Sequence, residues 1–168
     1  RITTAHGDVL TPAFMPVGTV GSVKTLTPDD LVGAGCDVLL GNTYHLYLRP
    51  GVDTVRALGG LHRFMGWGGS VLTDSGGFQV MSLTEFNKVT EDGVEFRSHL
   101  DGSKHLITPE RAMQIQDGLG TDIAMSFDQL IELPAPVDEV REAVDRTLRW
   151  AKRWLDERER LRGEGRGT

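Results

Sequence analysis

A single cysteine, Cys36, is all the thiol that this chain of 168 residues contains. That excludes an internal disulfide and any zinc site built from several thiolates within the chain. Such sparing use of cysteine makes the cytoplasm the expected location. No apolar run approaches the ~18 residues needed to cross a bilayer, and no basic-then-apolar leader opens the chain. No membrane partner is therefore expected. The first residue is Arg1 and not methionine, so the natural start is expected upstream. Excess positive charge is missing as well: the formal net charge is −6. This excludes an extended basic surface of the kind that grips nucleic acid along its length. Any RNA contact must be local or lie elsewhere. The basic residues that do cluster, from Arg146 to Arg166, have acids mixed among them. There is no internal repeat and no low-complexity tract.

What is present fits a folded domain. Hydrophobic residues make up 39% and charged residues 25%, a globular balance and not a disordered one. At ~100–200 residues per domain the length suits one domain, or part of one. Glycine is plentiful, 21 residues, an eighth of the chain against a usual ~7%. The glycines follow no three-residue period, so collagen is excluded. They gather between positions 59 and 77, which suggests tight loops where backbone must come close to something.

The pattern alternates strands and helices. Pro12–Thr19 reads as a short strand running into a loop. Thr27-Pro28-Asp29-Asp30 reads as a helix start, with Thr as N-cap, Pro at the first position and acids in the first turn. Cys36–Leu40 is a continuous apolar run, as a buried parallel strand should be, and Gly41-Asn42-Thr43-Tyr44-His45 follows as a loop. Gly51–Leu58 reads as a helix stopped by Gly59-Gly60, with a further helical turn at Leu61–Trp67. Ser70–Thr73 is the next strand. Lys88–Thr90, Val94–Ser98 and His105–Ile107, with Glu91-Asp92-Gly93 between the first two, read as an antiparallel insertion near 86–107. Thr108-Pro109 opens a helix that Gly118 and Gly120 close. Thr121–Phe127 reads as a strand. From Val137 to about Leu161 runs a long amphipathic helix with Val140, Val144, Leu148, Ala151 and Leu155 in step. Gly163–Thr168 reads as a frayed tail.

Strands alternating with helices predict an α/β fold with a parallel sheet and right-handed crossovers. The four main strands end in Gly18-Thr19, Asn42-Thr43, Thr73-Asp74-Ser75 and Phe127-Asp128. Ligands in such folds bind beyond the carboxyl ends of the strands. Four strand ends aimed at one place suit the face of a (β/α)8 barrel. A whole barrel needs eight strands and typically ~250 residues, so this chain supplies about half.

The densest chemical cluster is Asp74-Ser75-Gly76-Gly77-Phe78-Gln79. It reads either as a ligand pocket or as a helix-capping turn with glycines for geometry. In the pocket reading a carboxylate sits at a strand end, bare backbone N–H groups approach a planar ligand, Phe78 stacks on it and Gln79 reads its edge. The two glycines lack the fuller pattern of a phosphate loop. Asp128 is either a cap or the second of two acids facing a common pocket, an arrangement suited to glycosidic-bond chemistry. His45 reads as a general base or as a loop residue. His6, His62, His99 and His105 are scattered, without metal-ligand spacing. Trp150 and Trp154, one helical turn apart, read as a packing face.

Taken together, four strings carry a resemblance: the run from Pro12 to Lys24 (PAFMPVGT followed by VK), GNTYHLYLRPG at Gly41–Gly51, TDSGGFQVMSL at Thr73–Leu83 and MSFD at Met125–Asp128. LRWAKR at Leu148–Arg153 adds to them. In this order and spacing the chain resembles the N-terminal half of bacterial tRNA-guanine transglycosylase, and the resemblance covers essentially its whole length. It implies a (β/α)8 barrel and one domain portion over residues 1–168, with the C-terminal half and the zinc subdomain absent. The implied activity exchanges guanine at the anticodon wobble position of tRNA for a 7-deazaguanine (preQ1) in queuosine biosynthesis. Asp74 matches the family's acid/base aspartate. Asp74, Ser75, Gly76, Gly77, Phe78 and Gln79 match its base pocket, and Asp128 matches the aspartate that reads the guanine edge. The implied partners are tRNA and guanine or preQ1, with a homodimer possible for the family.

The family's nucleophilic aspartate, its zinc site of three cysteines and a histidine, and its later base-pocket motifs have no counterpart here. After Asp128 the sequence reads Gln129-Leu130, where many bacterial relatives carry an acid and a cysteine. The chain alone is thus expected to be inactive. Two other readings stay open: a non-catalytic partner subunit of a split or heteromeric transglycosylase, and an unrelated barrel hydrolase using Asp74 and Asp128.

Overall fold

A computed structural model describes residues 1–83 and 87–166. In chain order the elements are β1 (Ile2–Thr4), β2 (Gly7–Val9), β3 (Val17–Gly18), α1 (Pro28–Gly33), β4 (Val38–Gly41), α2 (Thr43–Leu48), α3 (Val52–Ala57), α4 (Gly60–Met65), β5 (Ser70–Thr73), α5 (Gly77–Leu83), β6 (Asn87–Val89), β7 (Val94–Arg97), β8 (Lys104–Ile107), α6 (Pro109–Leu119), β9 (Ile123–Ala124) and α7 (Val137–Gly163). They fall into two units. One comprises Arg1–Asp74 and Ile115–Met125, the other Ser75–Gln114 and Ser126–Arg166.

The first unit is built on a parallel sheet in the order β3-β4-β5-β9. Spatial order follows chain order with no reversal, so the carboxyl ends of all four strands share one edge. The apolar runs that predict β4 and β5 pair residue for residue, Leu39 opposite Val71 and Gly41 opposite Thr73. Leu39 and Val71 belong to a buried cluster with Leu31, Leu46, Leu61 and Trp67. The start of α1 follows the expected cap. The Thr27 hydroxyl accepts from the Asp30 N–H at 3.2 Å, and the Asp30 carboxylate accepts from the Thr27 N–H at 2.8 Å. These bonds to Thr27 hold the Asp30 carboxyl below its usual range.

Several expectations shorten or shift. The strand expected over Pro12–Thr19 is paired only at Val17–Gly18; Pro12 and Pro16 have no N–H to give a ladder. The strand expected over Thr121–Phe127 is paired only at Ile123–Ala124. Beyond it the buried Gln116 side chain takes over: its amide donates to the Met125 carbonyl at 2.9 Å and its carbonyl accepts the Met125 N–H at 3.0 Å. Residues 43–45, expected as loop, open α2. The helical turn expected after Gly59-Gly60 begins at Gly60 itself. Gly118 does not close α6 but lies within it. A Cβ there would come within 2.4 Å of both Val52 and Arg56, so the bare glycine lets α6 approach α3.

The second unit combines α5, the antiparallel sheet β6-β7-β8 and α7. The insertion forms as expected, apart from Phe86, which lies outside the described residues. The long helix forms too, but its buried face is Ala143, Trp150, Trp154 and Leu161, while Val144, Leu148 and Leu155 are exposed. The tryptophans bring more apolar area than the aliphatic stripe, and they win the inward side. Trp150 stacks on Phe127 with centroids 5.2 Å apart and donates its indole N–H to the Glu91 carbonyl at 2.8 Å. Around them α7 is tied by charge. Arg153 grips Glu110 at 2.6 and 2.8 Å, and Arg149 grips Glu91 at 2.7 and 2.9 Å.

Candidate functional site

The Asp74–Gln79 motif divides between the units after Asp74. Within the first unit, Asp74 directly follows β5. The register that sets Gly41 opposite Thr73 brings the next residues of the adjacent strand to its side chain. Asn42 donates its amide to Oδ2 at 2.5 Å, and the Thr43 N–H donates to Oδ1 at 2.8 Å. The Thr43 hydroxyl donates to the Asp74 carbonyl at 2.5 Å. Thr43 is the first residue of α2, whose N-cap Asn42 makes no side-chain cap of its own. Asp74 thus satisfies an orphan N–H at that helix start from 31 residues away. The half-buried carboxylate is held in one orientation.

Within the second unit, Ser75, Gly77 and Asp128 form one cluster. The Ser75 hydroxyl donates to Asp128 Oδ1 at 2.8 Å and accepts from the Gly77 N–H at 3.2 Å. Gly77 opens α5. A Cβ on it would sit 3.1 Å from the Asp128 carbonyl and 3.4 Å from Asp128 Oδ1, so this position tolerates little beyond hydrogen. Gly76 has φ +81, the left-handed region that favours glycine. Phe78 stands 59% exposed, Gln79 is half-buried, and Asp128 is half-buried in irregular chain beyond β9. Gly77, Asp128 and Gln129 line a small cavity of about 40 Å³ with Val80, Val89 and Val94. It is too small to enclose a bicyclic base.

Away from this motif, the fold gathers two of the scattered histidines. His6 Nδ1 and His62 Nε2 lie 2.7 and 2.9 Å from the two oxygens of the buried Asp122, which also accepts the Val71 N–H at 2.8 Å. The imidazoles stack with centroids 3.5 Å apart and planes 13° from parallel. Two imidazoles bound to one ion radiate from it; here each is aimed at its own oxygen, which is the geometry of a carboxylate clamp. Burial pushes His62 below its usual pKa against the pull of Asp122. His45 lies in α2, edge-on to Tyr44 at 5.3 Å.

Sequence reasoning placed Asn42 and Thr43 at a strand end but missed that they hold Asp74. The signal was available in the adjacency of two parallel strands whose polar residues begin at matching positions. The gathering of His6, His62 and Asp122 had no local signal. The residues present do not fit a zinc site of three thiolates: Cys36 is the one cysteine of the chain, and it packs against the apolar cluster of the first unit.

Residues 1–166 match the family described as queuine tRNA-ribosyltransferase. The chain is 58% identical over 153 residues to the queuine tRNA-ribosyltransferase of Desulfosudis oleivorans, covering 91% of this chain and 40% of that protein. It is 55% identical over 155 residues to that of Moorella thermoacetica, covering 92% and 42%. With that of Koribacter versatilis it shares 59% identity over 153 residues, covering 91% and 40%. The chain thus spans about two-fifths of the length of these curated relatives, and over nearly all its own length it belongs to the queuine tRNA-ribosyltransferase family.

Proposed function

We propose that this chain is the base-recognising, N-terminal portion of a tRNA-guanine transglycosylase, which exchanges guanine at the wobble position of tRNA for a 7-deazaguanine such as preQ1. Residues 1–168 would form the first half of one (β/α)8 barrel domain. The four parallel strands in unreversed order support that reading. The observation that carries the functional reading is the cluster of Ser75, Gly77 and Asp128. A carboxylate fixed beside a glycine that admits no side chain suits the edge of a flat heterocycle. Asp128 accepts from the N1–H and the exocyclic amine of a guanine-type base, a donor pair that adenine does not offer. Ser75 orients that carboxylate, Gly76 and Gly77 keep the backbone low, Phe78 stacks on the ring, and Gln79 reads a further edge.

Asp74 serves as the acid/base group. Its carboxylate, steadied by Asn42 and Thr43, handles the proton that the leaving guanine gains and the incoming base loses. An aspartate outside these 168 residues attacks the ribose anomeric carbon, and the glycosidic electron pair leaves with guanine. The incoming base then displaces that aspartate, so two inversions give net retention. The target nucleotide must leave its stack to be reached. The zinc of the family belongs to residues beyond this chain. The partners are tRNA and the free base, with a second copy of the complete protein as a further partner.

Titrating guanine or preQ1 into the purified chain by calorimetry tests the reading. Binding is expected, with adenine excluded, and Asp128→Asn should weaken it by about 1.5–3 kcal/mol, the value of hydrogen bonds to a charged group. Undetectable base binding by the unaltered chain would overturn the proposal. In a guanine-exchange assay the 168-residue chain should not turn over. Asp74→Asn in a complete enzyme should lower exchange about 10²–10⁴-fold while base binding persists; unchanged exchange would remove Asp74 from the acid/base role. A non-catalytic partner subunit is the second reading, and the intact Ser75–Gly77–Asp128 cluster speaks against it.

A further inference from the structure

The outer face of the antiparallel insertion carries cations that make no ion pair among the described residues. Along β7 the alternation is strict: Val94 and Phe96 are buried, Glu95 and Arg97 exposed. The register sets Lys88 and Leu106 beside Glu95, and Lys104 beside Arg97. With a period of two, Lys88, Glu95, Arg97, Lys104 and Leu106 therefore share one face. That is three cations to one carboxylate, in a chain whose net charge is −6. These residues line an open groove of about 560 Å³.

Within the same unit, the arginines of α7 show what structural cations look like. Arg146, Arg149, Arg153 and Arg160 all sit within 3.3 Å of a carboxylate oxygen. Lys88, Arg97 and Lys104 enter no ion pair among the described residues. Arg97 spends one N–H on the Gly102 carbonyl at 3.0 Å, which steadies the side chain and leaves further donors of its guanidinium. Asp101, in the loop between β7 and β8, is occupied by Ser103, whose hydrogen bonds pull its pKa down to about 2. The opposite face of this sheet, through Val89 and Val94, lines the small cavity shared with Gly77 and Asp128.

We propose that the outer face of β6-β7-β8 binds the phosphate backbone of single-stranded RNA through Lys88, Arg97 and Lys104, on the sheet whose other face lines the cavity of the base-reading cluster. The proposal rests on the function proposed above, because it supplies the polyanion that a base-reading site alone does not explain. It locates the local phosphate contact that an acidic chain needs in order to hold RNA at all. Neutralising three phosphates of a single strand gives a slope of about −2 in log K against log salt. Exposed Leu106 gives the groove one apolar spot among the charges.

The test measures binding of a fluorescent RNA hairpin with a seven-nucleotide loop to the 168-residue chain at increasing salt. A fourfold rise in salt should weaken the unaltered chain nearly twentyfold, but the Lys88→Gln/Lys104→Gln variant only about threefold. Lys88→Arg/Lys104→Arg should keep the steep slope, which separates lost charge from a disturbed fold. Three outcomes overturn the proposal: no RNA binding by the unaltered chain, a slope unaltered by the glutamine pair, or equal affinity for an acidic peptide of matched charge. Calorimetry with free guanine keeps the two readings apart. The glutamine pair should bind guanine normally, whereas Asp128→Asn should lose guanine with its salt slope intact.

Discussion

The two units hold themselves together by different means. The parallel-sheet unit uses buried and half-buried polar groups to finish its strands: Gln116 clasps Met125, Asp122 takes His6, His62 and Val71, and Asp74 takes Asn42 and Thr43. The second unit lays a stacked aromatic pair under a web of ion pairs near the surface. The difference teaches where each is vulnerable. Buried hydrogen bonds are costly to leave half-made, whereas surface ion pairs contribute little each. In the second unit more of the stability therefore resides in the aromatics than in any one surface ion pair.

The sharpest way to break this contrast is Trp150→Ala. It removes the stack on Phe127 and one of two donors to the Glu91 carbonyl, the other being Arg153, and urea denaturation should show a loss of about 3–5 kcal/mol. Next comes Gln116→Leu in the first unit. It leaves the Thr73 hydroxyl without its 2.8 Å acceptor and the Met125 carbonyl without its amide donor, and the same measurement should register about 2–3 kcal/mol. A smaller loss than that of an exposed charge swap would show that the strand end does not depend on the clasp.

Acid should reach the two units at different pH. His62 is depressed in the fold, so the unfolded chain binds the proton more readily. Its contribution is present above about pH 6.5 and is lost as pH falls below that value. Glu91 is also depressed, chiefly by Arg149, to about 2. Its contribution is present above the ordinary glutamate range and is lost as pH falls from there toward 2. Hydrogen exchange followed from pH 7 to 3 should therefore show amides around Val71 losing protection before those around Trp150; simultaneous loss would erase the distinction. The smallest effect should come from Glu91→Gln at neutral pH. It weakens exposed pairs with Arg146 and Arg149 and should move the thermal midpoint by no more than about 1–3 °C.

Much of this fold could be read from the chain. The apolar runs around 38–41 and 70–73 have one stable home, between helices in a parallel sheet. The Thr27 cap is local, and so is the hairpin turn at Glu91-Asp92-Gly93. What escaped was settled by partners distant in sequence. Residues 43–45 look like loop because the group that caps the helix they open is Asp74, not a neighbour. Residues 77–83 begin with glycine and follow a turn-like motif, yet helix forms once Ser75 takes the Gly77 N–H. The long helix was legible as a helix, and Trp150 and Trp154 as its packing face; what did not show was that Val144, Leu148 and Leu155 of the aliphatic stripe stay exposed, because the two tryptophans outweigh them. Of the candidate site, the residue types were visible from the start, whereas the hold on each carboxylate was not.

Asp74 has one further consequence. Its side chain anchors the first turn of a helix whose own N-cap makes no side-chain cap. The end of β5 and the beginning of α2 are therefore tied through one carboxylate, and a substitution that removes an oxygen there slackens both.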